Sequence, residues 1–154
     1  FPGLATLKPP RPQPVGMLFD SRTREKLRAA GLDRETLRTI ERDVAEEAGA
    51  EADRIEAFFE RLGATGEGTA TVYSDMDLTH STSAVPEHEV RYVDLFTHSQ
   101  DVRGWLRFDT WGAYVEGGRV VDADEADQVR VVELSLGPTV HDRVRFAADR
   151  AALE

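Results

Sequence analysis

The spacing of apolar residues changes once along this chain, and that change limits it to helices first and strands after. Leu37, Ile40, Val44, Ala48, Ala52, Ile55, Phe58, Phe59 and Leu62 recur at steps of three and four. Such a stripe is one face of a single long amphipathic helix. Asp33 stands where a helix cap belongs, Glu35 sits in the first turn, and Gly63 ends the pattern. Gly49, in the middle, marks close packing or a break. The opposite face, with Glu41, Arg42, Glu46, Glu47, Asp53 and Arg54, is expected in water. A shorter helix over Arg24–Ala30, capped by Asp20 or Ser21 and stopped by Gly31, precedes it.

Beyond the glycine-rich stretch 64–68 the period falls to two. Strands are predicted over Thr69–Asp75, Glu89–Thr97, Val102–Asp109, Trp111–Glu116, Arg119–Val121, Val129–Leu136 and Val140–Phe146. Short links between consecutive strands predict an antiparallel meander. Gly117-Gly118 reads as a tight hairpin turn, and Gly112 as a bulge in a run from Val102 to Val115. Ala147–Leu153 reads as a short terminal helix. The expected fold class is α+β: an N-terminal helical hairpin whose long helix packs on a curved antiparallel sheet, burying Ile40, Val44, Ile55 and Phe59. Residues 18–154 are expected to form one domain, helical over 18–63 and sheet over 69–146.

Residues 1–17 differ in kind. They hold five prolines and almost no periodicity. Proline at Pro9, Pro10, Pro12 and Pro14 blocks helix and favours an extended polyproline-like arm, either a docking arm or a linker. Because the chain opens at Phe1 rather than Met, further residues are expected upstream.

Charge restricts function. Twenty-nine acidic residues against 19 basic give a formal net charge of -10. Lys8 and Lys26 are the only lysines; arginine in their place fits a GC-rich genome, and the acid excess fits a salt-adapted cell. The same excess argues against direct nucleic-acid binding, which relies on cations neutralising phosphate. No apolar run reaches the roughly 20 residues that cross a bilayer. There is no cysteine, which removes disulfides and thiolate chemistry and fits a cytoplasmic location.

Two groups of residues are candidates for function. Arg103, Trp105, Arg107 and Trp111 alternate onto one face of a regular strand, an arrangement that can stack bases or hold a planar anion, or form a cation–π and ion-pair ladder over the sheet. Arg143 and Arg145 extend it if their strand lies alongside. The second group is Asp75, Asp77, His80 and His98, an imidazole–carboxylate set of the type that binds zinc or another divalent metal, though without a metal-binding spacing. On a regular strand His88, Tyr92, Asp94, Phe96 and His98 share a side. Ser74, Ser81, Ser83 and Ser99 lie near histidines but in no nucleophile-elbow motif. The acidic string Asp122–Asp127 reads as a solvated turn, since Ala126 and Asp127 spoil a calcium loop.

The strings VYSDMDLTHSTS, VDLFTHS, RGWLRFDTWGAYVEGGRV and LGPTVHDRVRF are similar to an uncharacterised domain family of halophilic archaea, over about Phe19 to Ala148. That resemblance implies a small cytoplasmic domain without an assigned activity and transfers no site residues. The function expected is a non-enzymatic binding or accessory protein that needs no cofactor and meets a protein partner through the arm, the Arg/Trp face or both. The alternative is a small metal-dependent hydrolase built on the His/Asp set.

Overall fold

The computed structural model describes residues 18–77, 84–98, 100–137 and 142–154. Helix α1 spans Ser21–Ala29, and Asp20 caps it by accepting the Thr23 N–H at 2.7 Å. Helix α2 spans Arg34–Arg61, capped in the same way by Asp33 on Thr36 at 2.8 Å. Six strands follow: β1 Ala70–Ser74, β2 Glu87–His98, β3 Asp101–Phe108, β4 Gly112–Ala123, β5 Val129–Gly137 and β6 Asp142–Ala147. A terminal 3-10 turn covers Arg150–Leu153.

Each strand pairs antiparallel with the next, and β6 returns to β1, so the sheet is a closed barrel where an open curved sheet is expected. Closure rests on Tyr73↔Ala147 and Ser74↔Phe146, reinforced by Asp75, which accepts both the Arg145 backbone N–H and its Nε–H at 2.8 Å. Alternation of apolar residues is identical in an open and a closed sheet, so this pairing has no mark in the sequence.

The barrel is uneven, and α2 makes up the difference. β3 and β4 pair only from Gly104↔Val115 to Arg107↔Gly112. Beyond those pairs α2 packs against β2, β3, β4 and β5. Glu56 accepts the Leu95 N–H at 3.2 Å, and Glu51 accepts the Val120 N–H. Two helix carboxylates thus occupy backbone donors of the flanking strands. Ala52, Ile55, Phe58 and Phe59 join one core with inward residues of all six strands.

Several details correct the sequence reading. Gly117 and Gly118 do not turn; they pair with Ser135 and Leu134 inside β4, which runs unbroken through both glycines. The real β4–β5 turn is the acidic string, where Asp124 accepts the N–H groups of Ala126 and Gln128, both at 2.9 Å. Gly112 opens β4 after a turn at 109–111 and is no mid-strand bulge. Ile55 and Phe59 are fully buried, whereas Ile40 and Val44 are only half-buried. Ile40 and Val44 precede the Ala52–Phe59 segment of α2 that joins the barrel core. Glu41, expected in water, is buried there, paired with Arg24 of α1 and accepting the Leu18 N–H at 3.2 Å.

Candidate functional site

A β-bulge in β2 builds the outer face that carries the candidate residues. Register slips between Val90 and Tyr92, so Arg91 is an extra residue on that strand. Before the bulge His88 and Val90 face inward; after it Val93 and Leu95 do, and Tyr92, Asp94 and Phe96 face out. His88 therefore does not share a side with Tyr92 and Phe96 as a regular strand requires.

Opposite these residues on β3 lie Arg107, Trp105 and Arg103, paired with Tyr92, Asp94 and Phe96 in that order. Tyr114 of β4 pairs with Trp105 on its other side. Tyr92, Trp105 and Phe96 remain 40%, 39% and 44% exposed, three of the four large hydrophobic residues left exposed among the described ones. Side chains of the platform lie against two glycines. A Cβ on Gly112 would lie 2.8 Å from the Trp105 ring, and one on Gly137 would lie 2.8 Å from the Glu116 carboxyl. Among the described residues neither Arg107 nor Glu116 has an ion-pair partner, while Arg103 approaches Asp101 at 3.6 Å. The result is a platform of aromatic rings with both signs of charge around it.

Trp111 does not belong to this platform. It follows the β3–β4 turn and stacks on Phe108, ring centroids 4.4 Å apart, against the core. The turn ends the alternation on which the fourth position depended. Arg143 and Arg145 are two strands away from β4; Arg145 pairs across to Glu133 and holds Asp75.

Of the metal candidates, the described Asp75 and Asp77 lie far from His98. Asp75 is bound to Arg145 at one end of the barrel, and Asp77 follows it, exposed. His98 ends β2, whose first residue Glu87 pairs with Tyr73, so it lies on the order of 30 Å along the strand from Asp75. His80 lies outside the described residues. Among the described residues no group of three or more His, Asp or Glu side chains is arranged around a common point.

Inside the barrel, strand pairing brings together two groups that sequence spacing keeps apart. Ser74 Oγ and His88 Nε2 are 2.7 Å apart, and Ser74 Oγ also accepts the Met76 N–H at 3.2 Å. The imidazole lies against Phe108 and Phe146, with centroids 5.2 and 6.2 Å away. Ser74 is fully buried, and the pair is a satisfied polar contact in the wall. Burial pushes the His88 pKa below its ordinary 6.5. A depressed histidine favours folding fully above the unfolded pKa. Stability then falls as pH drops below about 6.5, because the unfolded chain takes up the proton first. Denaturant titrations from pH 7.5 to 5 are expected to show a steeper loss for the wild type than for His88→Gln. Equal slopes would show that the imidazole is not desolvated.

Two open depressions flank α2. One, of about 330 Å³, is lined by Arg54, Phe58, Arg61 and Asp127, but Arg54 is bound to Asp127 and Arg61 to the Val129 carbonyl. The other, of about 190 Å³, lies between Val44, Glu47 and Glu51 of α2 and Gln100, Val102 and Gly118.

The model of a family of unknown function, DUF7532, matches residues 17–151, which takes in the helices, all six strands and the platform. The chain belongs to that family. DUF7532 carries no assigned activity, so membership transfers no catalytic residues to the platform or to the Ser74–His88 pair. No curated protein and no solved structure matches the chain. Among the described residues no helix is long and apolar enough to cross a membrane.

Proposed function

We propose that this member of DUF7532 is a non-enzymatic binding module that docks on a protein partner through the platform of Tyr92, Phe96 and Trp105. The observation that carries this reading is the gathering of three exposed aromatic rings on two adjacent strands of an otherwise charged surface. Exposed apolar patches rimmed by polar groups are characteristic of interaction sites, and Tyr, Trp and Arg are enriched where binding energy concentrates. Arg103 and Arg107 flank Trp105 and set orientation, while the acidic remainder keeps the protein soluble in the cytoplasm of a salt-adapted cell.

The test compares wild type with a Phe96→Asp, Trp105→Glu double variant, each tagged and expressed in the source cells. Wild type is expected to elute from a sizing column well ahead of the purified chain, and the variant at the position of the chain alone. Both proteins should melt at the same temperature, because the substituted side chains face outward. Identical elution of the two would remove the platform as the docking face.

A further inference from the structure

The arm and the platform are ligand and receptor by chemistry. A polyproline segment is preorganised, loses little entropy on binding, and packs its rings against exposed Tyr, Trp and Phe side chains. We propose that the platform is a receptor for proline-rich basic segments and that residues 1–17 of the same chain are its resident ligand; this rests on the docking role of the platform argued above.

Three observations support the assignment. The first is position. The chain enters the described body at Leu18, tied to Glu41 of α2. Val44, one turn further along α2, faces Gln100 and Val102 across the smaller depression. Val102 pairs with Thr97, next to the Phe96↔Arg103 pair that forms the near edge of the platform. The root of the arm and that edge therefore share one end of the barrel.

The second is reach. Pro14 to Pro9 stand four to nine residues before Leu18. At ~3.1 Å per residue in a polyproline helix, that places them ~12 to ~28 Å from the root, enough to round the β2–β3 turn and lie along Phe96, Trp105 and Tyr92.

The third is charge. The arm has Lys8 and Arg11 and no acid, in a chain of net charge -10. Glu116, beside Tyr114 at the far side of the platform, has no ion-pair partner among the described residues. Lys8 or Arg11 can pair with that carboxylate, which lies at the end of the platform opposite Arg107, and an acidic segment would be disfavoured by the net-negative body.

The absence of cysteine makes the test direct. A nitroxide is attached to the full chain through Gln13→Cys, and nitrogen-15 spectra are compared before and after reduction of the label. The Trp105 indole and the Tyr92 and Phe96 amides are expected to lose more than half their intensity, while Glu133 and Arg145 keep theirs. Adding Pro10→Gly and Pro12→Gly, changes confined to the arm, should restore the lost signals. No broadening at the platform, or broadening that survives the glycine substitutions, would overturn the proposal. So would broadening in a mixture of spin-labelled and isotope-labelled chains, which would assign the contact to exchange between copies. Failure here with the co-elution difference intact removes the arm as ligand and leaves the platform as a docking face.

Discussion

Gly104→Ala is expected to lower stability by about 2–6 kcal/mol, combining roughly 1–3 of backbone strain with roughly 1–3 of overpacking. Gly104 has φ +147, a region that side-chain-bearing residues rarely adopt. An added Cβ would lie 2.1 Å from the Asp94 carbonyl oxygen and 2.8 Å from the Leu95 Cα. Both are backbone atoms of β2 and cannot rotate away. β2 is held there from the other side too, since the Leu95 N–H is bound by Glu56 of α2. The strain and the clash are separable. Gly66→Ala, at φ +90 with nothing within 4 Å, carries strain alone and should cost about 1–3 kcal/mol. Urea denaturation of both variants checks this; equal losses would mean that the strands separate freely at Gly104. Because Asp94 pairs with Trp105, Gly104→Ala should also displace the platform, visible as a changed Trp105 indole signal.

Phe59→Ala should remove about 3–5 kcal/mol, the range for deleting a buried aromatic ring. Phe59 is fully buried and edge-on to two rings: Phe58 of α2 at 5.0 Å and Phe146 of β6 at 5.8 Å. It therefore links the helix to the strand that closes the barrel. Phe146 is itself paired with Ser74, so the closure over β1 should loosen when its aromatic neighbour is lost. The Asp75 N–H, bonded to the Arg145 carbonyl at 3.2 Å, is the reporter: its hydrogen exchange should accelerate more than that of Leu95, whose N–H is tied to Glu56. A stability loss below about 1 kcal/mol would place Phe59 outside the shared core.

Local signals made the helices and most strands legible. Asp20 and Asp33 cap the helices at the positions their side chains imply, because a cap is a contact within three residues. Features that depend on residues far apart left no such local signal. Gly117-Gly118 has the composition of a turn, yet β5 pairs with both glycines, and the chain reverses only after Ala123. The Ser74–His88 contact had no sequence signal, since it depends on the β1–β2 register.

The platform was half visible. Arg103, Trp105 and Arg107 alternate on one strand, and alternation is a property of the chain itself. Tyr92, Phe96 and Tyr114 join them only through the β2 bulge and the β3–β4 register. The sequence alone determined the order of helices and strands, the two helix caps, the acidic balance and the proline-rich composition of residues 1–17, because each follows from side chains a few residues apart. The tertiary structure alone decided barrel closure and which faces carry His88 and Trp111. Those depend on a one-residue slip and on pairing between the first and last strands, and alternation in the sequence is the same whichever way they resolve.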